Sequence, residues 1–173
     1  MCRSSVDSAL TFNVNDLVLK MKEEQLWSAI ETDKKTLICE PCSRSLWVTC
    51  VPLSIEQALW NLLINARDAT TDKGRITLAT TRVSITDEDL ALHPDARAGQ
   101  FVCISVSDNG HGISANDLPQ IFGPFFTTKG STGLGLWSSR ETVTKSGGWV
   151  EVRTQVGHGS TFSIFLPQVD PPK

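Results

Sequence analysis

The chain has 173 residues, of which 40% are hydrophobic and 20% charged, and its formal net charge is −3. This balance is typical of one soluble globular domain, and it excludes a wholly disordered chain and a basic nucleic-acid-binding protein. No apolar run approaches the roughly 18 residues of a membrane-spanning helix, and residues 1–10 lack a signal peptide's apolar stretch, so we expect a cytoplasmic domain without membrane contact.

The first predicted elements are a helix and two strands. A polar leader covers residues 1–12. An amphipathic helix is predicted over residues 14–30 by apolar residues placed roughly on one face, namely Leu17, Val18, Met21, Leu26 and Ile30. Residues 36–40 and 46–51 predict two strands that pair with each other.

Cys39 and Cys42 lie between these strands in a Cys-Glu-Pro-Cys arrangement. The chain has five cysteines, an odd number without a secretion signal, which favours free thiols in a reducing compartment. A metal or redox pair is the alternative. Because a zinc site needs a second pair, and a redox pair belongs near a strand–helix junction, two ordinary hairpin cysteines are the favoured interpretation.

A helix with a polar stripe is predicted next, from Ser54 to about residue 71. Ser54 followed by Gln57 indicates a capping box at its start. The polar residues that recur along one narrow stripe are Gln57, Asn61, Asn65 and Asp68. A single Asn usually caps backbone or faces solvent, but several in register beside glycine-rich loops indicate a binding site.

The second half of the chain contributes most of the predicted sheet. Residues 75–85 and 101–107 alternate as strands do, and they flank a polar surface excursion over residues 86–100. The remaining elements are a helix over residues 134–146, strands over 149–155 and 161–166, and a tail over 168–173. This order predicts an α+β fold, a two-layer α/β sandwich whose mixed, mainly antiparallel sheet is covered on one face by about three helices.

Two glycine-spaced clusters lie between Val106 and Leu136. They read VSDNGHGI and IFGPFFTTKGSTGLGL. Glycines at this spacing let backbone N–H groups approach a ligand closely. The chain has no G-x-x-x-x-G-K-[ST] loop, and DNGHG is not a strand-to-helix dinucleotide fingerprint, so a different nucleotide site is indicated.

Four segments together resemble a known family. QALWNLLINARDA, SDNGHGI, IFGPFFTTK and GSTGLGL resemble, in this order, the Asn box, first glycine box, aromatic box and second glycine box of histidine kinases. The similarity is to the catalytic, ATP-binding domain of two-component sensor kinases, and the NARDA and FFTTK strings are closest to the nitrogen-regulation type. It implies a Bergerat-type sandwich, shared with gyrase and MutL ATPases, over residues 13–167.

The resemblance implies how the phosphates of ATP are held. Asn65 would bind the bridging Mg²⁺, since a neutral carboxamide oxygen suits a hard cation. Asn61 stands where hydrolysing relatives usually carry a Glu, and an amide cannot activate water, which favours phosphoryl transfer. Lys129 would neutralise charge on the transferred group. The other residues expected near the phosphates and metal waters are Arg67, Asp68, Thr127, Thr128, Gly133, Leu134, Gly135 and Leu136.

The resemblance also implies an adenine pocket. Asp108 matches the family aspartate that accepts a hydrogen bond from the adenine amino group, which would select ATP over GTP. Gly110 and Gly112 would let the base lie against bare backbone. Ser160 matches the family hydroxyl near the adenine. The remaining residues expected at the cofactor are Ile113 and Phe122, the latter with a core role as its alternative.

The chain departs from many relatives at two points. Only residues 130–132 separate Lys129 from Gly133, which is shorter than the common lid over the phosphates. Trp137 stands where a smaller residue is usual. We therefore expect this chain to differ from these relatives in lid closure, nucleotide affinity and partner docking.

A complete sensor kinase also has a helical hairpin with the phosphoacceptor histidine, and we find no such motif. His93, His111 and His158 lie in the polar excursion, a glycine box and a turn, and each is better interpreted as a solvent or turn residue. We expect an isolated, monomeric catalytic domain that phosphorylates a separate hairpin and, through it, a response regulator. A non-catalytic nucleotide-binding or interaction module, and a serine-directed or hydrolysing relative, are the alternatives.

Overall fold

The computed structural model describes residues 8–32, 34–128 and 132–173. Its strands are β1 Leu10–Asn13, β2 Lys35–Glu40, β3 Trp47–Cys50, β4 Gly74–Ile85, β5 Gly99–Asp108, β6 Trp149–Gln155 and β7 Gly159–Pro167. Its α-helices are α1 Val14–Lys22, α2 Gln25–Ile30, α3 Pro52–Ala69 and α4 Gly135–Lys145. Short 3-10 helices span Asp87–Ala91 and Leu118–Gln120.

Five strands form the main sheet in the order β2-β4-β5-β7-β6. β2 is parallel to β4, and the other neighbouring pairs are antiparallel. β1 and β3 form a separate antiparallel pair. The structure confirms the predicted mixed, mainly antiparallel sheet with helices packed on it, and the register places Asp108, the last residue of β5, opposite Ser160 on β7.

The main core lies between this sheet and the helices. Strand alternation directs Val102, Ile104 and Val106 of β5 to the helix side, where all three are buried. Leu59 and Leu63 of α3 are fully buried in the same cluster. Because each such side chain contributes about 1.5–3 kcal/mol by leaving water, the apolar face of α3 fixes the direction in which its polar stripe points.

A second, smaller apolar cluster occupies the opposite face of the sheet. Trp149 stacks on Phe165 with ring centroids 4.7 Å apart, and Phe101 meets Trp149 edge to face at 4.6 Å. His93 Nδ1 lies 2.5 Å from Glu151 Oε1, which ties the excursion between β4 and β5 to β6. The predicted surface excursion therefore covers apolar side chains on this face of the sheet.

The prediction of one helix over residues 14–30 is wrong. Glu23 ends α1 and Glu24, in an extended conformation, begins α2. With 3.6 residues per turn, an unbroken helix would point Trp27 and Ile30 away from the buried side of α1, so the predicted placement of Ile30 on that face is wrong as well. The break turns both into the core, where they are 2% and 0% exposed.

The predicted pairing of residues 36–40 with 46–51 is also wrong. β2 joins the main sheet beside β4, whereas β3 pairs with β1. Asn15 explains the separation, because its Nδ2 donates to the carbonyl oxygens of Cys42 and Arg44 at 2.8 Å and its Oδ1 accepts from Thr80 Oγ1 at 2.6 Å. The intervening segment is thus held against α1 instead of turning back as a hairpin.

The start of the third helix also differs from prediction. α3 begins with Pro52 at its first turn, and no side chain caps it, so the predicted Ser54 capping box is wrong. β1 begins at Leu10, inside the predicted leader, and the Val169 N–H in the predicted tail donates to the Trp47 carbonyl.

None of the described helices is both long and apolar enough to cross a bilayer.

The described cysteines are free thiols. They are Cys39, Cys42, Cys50 and Cys103. Burial raises the pKa of Cys39, and it raises the pKa of Cys50 and of Cys103 to about 11. Within the described ranges, no group of three or more His, Cys, Asp or Glu residues is placed to hold a metal.

We expect Asn15→Ala to lower the free energy of unfolding by about 3 kcal/mol, because it removes the acceptor for the hydrogen of the buried Thr80 hydroxyl and the donor to two carbonyl groups. Urea denaturation measures this. Thr11→Ala, which removes an exposed hydroxyl pair with Thr49, is the control and should cost less than about 0.5 kcal/mol. Equal losses in both variants would contradict the role of Asn15.

We expect iodoacetamide at pH 8 to leave Cys50 and Cys103 unmodified in the folded protein, because a pKa of about 11 leaves about one thiol in 1,000 as the reactive thiolate. Mass spectrometry of peptides identifies the modified sites. The control is the protein in urea, where all five cysteines should react. Modification of either buried thiol as fast as Cys42 would show that its burial is incomplete.

Candidate functional site

A cleft of about 670 Å³ opens where the ends of β5 and β7 meet α3. Its walls are α3, the loop after β5, and the segment that leads into α4. Most of the residues that the sequence predicts for a nucleotide site line it, namely Asn61, Asn65, Asp68, Asp108, Gly112, Ile113, Thr127, Thr128, Gly133, Gly135, Leu136 and Ser160. Residues far apart in the chain are therefore brought to one cavity.

Some predicted residues are not part of this lining. Phe122 packs edge-on against Phe162 with centroids 6.2 Å apart, so it supports the cleft from behind. Leu134 is the N-cap residue of α4, and the Gly110 N–H donates to the Asp108 carboxylate. Lys129 falls outside the described residues, so its role stays a prediction.

The cleft also has lining residues that the sequence analysis did not assign to it. They are Ile64, Ala69, His111, Ser114, Asp117, Ile121, Phe126, Thr132, Val156 and Phe162. The spacing of residues along a helix and a strand indicates two of them. Ile64 is one helical turn from Asn61 on α3, and Phe162 is two residues from Ser160 on β7, so each shares a face with a predicted residue.

The first glycine box is shaped by contact with the protein's own backbone. A Cβ atom at Gly110 would lie 2.2 Å from the carbonyl oxygen of Ala69, at the end of α3. Gly112 has a φ of +73°, and a Cβ there would lie 2.3 Å from the carbonyl oxygen of Gln155. Both positions therefore require glycine if this loop is to fit between α3 and β6, whatever the cleft binds.

Three residues form a row across the sheet end of the cleft, where β5 ends and β7 begins. Asp108 on β5 lies opposite Ser160 on β7, which in turn lies opposite Thr154 on β6. Asp108 Oδ1 accepts a hydrogen bond from the Gly110 N–H at 2.9 Å, which holds the carboxylate in place. Ser160 is buried, with 6% of its surface exposed.

Thr154 connects this row to the glycine loop, and no motif in the sequence indicated it. Its Oγ1 accepts from the Ile113 N–H at 2.8 Å and lies 2.9 Å from Ser160 Oγ and 3.2 Å from the Gly159 carbonyl oxygen. Strand alternation from Val152 could have placed Thr154 on the helix side of β6. Its hydroxyl therefore fixes two residues that line the cleft.

The other end of the cleft is built where α3 meets α4. Asn61 Nδ2 donates long hydrogen bonds to the Gly135 carbonyl at 3.4 Å and to Ser139 Oγ at 3.3 Å. Ser139 is 1% exposed, and its hydroxyl donates to the Gly135 carbonyl at 2.8 Å. The amide of Asn61 is thus oriented by the first turn of α4, whose N-terminal N–H groups favour anions.

Arg67 and Asp68 form an ion pair near the α3–α4 end of the cleft. Arg67 donates to Asp68 Oδ1 through Nε at 3.0 Å, and its NH2 lies 2.9 Å from the same oxygen. Both side chains are more than a third exposed, so solvent screens the pair and its contribution to stability is small. Asp68 lines the cleft and Arg67 stands beside it.

The three histidines occupy unlike places. His93 is held by Glu151 beneath the opposite face of the sheet, far from the cleft lining. His111 lines the cleft, and its Nδ1 lies 2.5 Å from the Gly112 carbonyl oxygen. His158 lies in the turn between β6 and β7.

Comparison with known proteins agrees with this architecture. The family model described as histidine kinase-, DNA gyrase B- and HSP90-like ATPase matches residues 50–170. Sensor kinase CckA of Brucella abortus (strain 2308) is 40% identical over 130 residues, which are 73% of this chain and 14% of that protein. Sensor histidine kinase ZraS of Escherichia coli (strain K12) is 38% identical over 117 residues, which are 67% of this chain and 22% of that protein. The chain spans less than a quarter of the length of these two relatives.

Solved structures share the fold over almost the whole chain. The catalytic domain of histidine kinase ThkA superposes with a TM-score of 0.70 at 28% identity, covering 93% of this chain and 98% of that one. Full-length ShkA in complex with AMPPNP gives a TM-score of 0.75 at 23% identity, covering 96% of this chain and 32% of that one. The chain therefore belongs to the histidine kinase-, DNA gyrase B- and HSP90-like ATPase family, as a catalytic domain of the two-component histidine kinase type.

Proposed function

We propose that this domain binds Mg-ATP in the cleft and donates the γ-phosphoryl group to a histidine on a separate helical hairpin domain. The observation that carries the proposal is one cleft lined by Asp108 and Ser160 at the sheet end and by Asn61 and Asn65 on α3. The hairpin and the response regulator that receives the phosphoryl group from it are partners under this proposal.

Asp108 would hold the adenine. A carboxylate only accepts hydrogen bonds, so it matches the adenine amino group and opposes the carbonyl that guanine presents there. The Gly110 N–H already engages Oδ1, which fixes the direction in which the carboxylate meets the base. Selection of ATP over GTP follows from this geometry.

The donors at the α3 end fit Mg²⁺. The cleft there offers a carboxamide oxygen at Asn65 and a carboxylate at Asp68, and Mg²⁺ prefers oxygen ligands together with waters and substrate phosphates. Asn65 would hold the ion, and Asp68 would accept hydrogen bonds from its waters. When bound, the ion would neutralise phosphate charge.

Phosphoryl transfer would then need positioning more than acid–base chemistry. A ring nitrogen of the acceptor histidine forms a bond to the γ-phosphorus while the bond to the β–γ bridging oxygen breaks and ADP leaves. The N-terminus of α4 stabilises negative charge on the phosphates, and Lys129 would add a positive charge. Asn61 cannot take a proton from water, so hydrolysis is disfavoured.

The cellular location and the oligomeric state are part of the same proposal. The domain would act on the cytoplasmic side of the cell, where ATP is available, even if the parent protein is membrane-anchored. It would be monomeric when isolated, because the dimer interface of such kinases would belong to the hairpin.

We expect Asp108→Asn to weaken Mg-ATP binding by at least about tenfold, since the carboxylate is replaced by an amide whose NH2 group repels the adenine amino group. Isothermal titration calorimetry measures the affinity. Asp72→Asn, which makes the same change at an exposed ion pair with Lys34, is the control and should bind as the parent chain does. Absence of binding by the parent chain would refute the proposed nucleotide site.

We expect the chain, mixed with a histidine-bearing hairpin domain of a sensor kinase and γ-labelled ATP, to give an acid-labile, base-stable phosphoprotein. Asn65→Ala should slow transfer by roughly 100-fold, because an electrostatic group at the phosphates is lost. Asn116→Ala, outside the cleft lining, is the matched control. Acid-stable phosphoserine would favour a serine-directed relative, free phosphate alone a hydrolysing one, and nucleotide binding without either product a regulatory module.

A further inference from the structure

The Thr154 hydroxyl can satisfy its three contacts in only one arrangement of hydrogens. A hydroxyl has one hydrogen and two acceptor positions. One acceptor position of Thr154 Oγ1 is taken by the Ile113 N–H at 2.8 Å. If its hydrogen points to the Gly159 carbonyl at 3.2 Å, the remaining acceptor position receives the hydrogen of Ser160 at 2.9 Å, and all three contacts are hydrogen bonds.

The reverse arrangement leaves a contact unsatisfied. If Thr154 donated to Ser160 Oγ, its oxygen and the Gly159 carbonyl oxygen would face each other at 3.2 Å with no hydrogen between them. The first arrangement is therefore favoured, and in it the hydrogen of Ser160 points away from the cleft. The lone pairs of Ser160 Oγ are what remain for a ligand.

We infer that Thr154 is a positioning residue that makes Ser160 a hydrogen-bond acceptor in the cleft, and that it thereby selects 6-amino purines over 6-oxo purines. This rests on the proposed binding of a purine nucleotide beside Asp108. Ser160 lies directly across from Asp108 in the β5–β7 register, so the two acceptors stand side by side.

Two adjacent acceptors match the chemistry of a 6-amino group. That group carries two hydrogens, one for the Asp108 carboxylate and one for Ser160 Oγ, either directly or through a water. A 6-oxo group carries none and would face acceptors only. A Ser160 hydroxyl freed from Thr154 could rotate and donate to the 6-oxo group, which would reduce this discrimination.

The test compares ATP with ITP, which has a carbonyl at position 6 and an N–H at position 1, in titration calorimetry of the parent chain and of Thr154→Val; the change in the ATP to ITP ratio between the two proteins isolates the effect of Thr154. Valine matches threonine in shape and lacks the hydroxyl. We expect the ratio of ATP to ITP affinity to fall by roughly three- to tenfold, the size of one neutral hydrogen bond. Thr154→Ser keeps the hydroxyl and should keep the ratio.

A double-mutant cycle separates positioning from a general structural effect. In a Ser160→Ala background, Thr154→Val should leave the ratio unchanged, because no hydroxyl remains to be oriented. Should Thr154→Val fail to fold without a partner for the Ile113 N–H, Thr154→Cys replaces it with a weakly bonding thiol and should lower the ratio in the same direction.

The outcomes distinguish this inference from the proposed function. A parent chain that binds neither nucleotide refutes the proposed function. A parent chain that prefers ATP, with the same preference in Thr154→Val or with both affinities lowered equally, overturns the role of Thr154 and leaves the proposed function standing.

Discussion

Direct contact between backbone segments at the end of β5 is the constraint on which the cleft depends. The loop after Asp108 passes between the end of α3 and the turn that joins β6 to β7, and a Cβ at Gly159 would lie 1.9 Å from the Asp108 carbonyl oxygen. The His111 N–H donates to the Ala69 carbonyl at 3.1 Å, so the loop is bonded to the helix as well as packed against it. Because these contacts leave no room for side chains, they set the distance between the polar stripe of α3 and the end of the sheet.

The two ends of the cleft are supported in different ways. The end formed by the sheet rests on three adjacent strands, and its hydroxyl groups are held by hydrogen bonds within the sheet. The end formed by α4 rests on the first turn of that helix and on the preceding segment, where Phe125 has a φ of +65° and is 73% exposed. A left-handed conformation at a bulky residue costs roughly 1–2 kcal/mol. The sheet end is thus built on regular secondary structure, whereas the α4 end carries backbone strain.

The sequence predicted those parts of the molecule that local patterns specify. Strand alternation located β4 to β7 to within about two residues, and the boxes together with Ser160 identified about half of the cleft lining. The sequence could not predict which strands β2 and β3 pair with. Their separation depends on Asn15, which binds a segment more than 25 residues away. Thr154 was missed for a similar reason, since its role comes from a contact between β6 and the loop after β5, through the Ile113 N–H, which is distant in the chain.

The identity of residue 61 shows how packing and chemistry constrain the same position. The Asn61 amide faces the Gly135 carbonyl and a Ser139 hydroxyl whose hydrogen is already donated to that carbonyl. A carboxylate reaching the same place could pair with Ser139 only if that hydroxyl turned away from the Gly135 carbonyl, which would then lose both of its side-chain donors. The junction of α3 and α4 therefore favours a side chain that donates at position 61. An amide donates there and cannot take a proton from water, so the packing and the proposed phosphoryl transfer favour the same residue type.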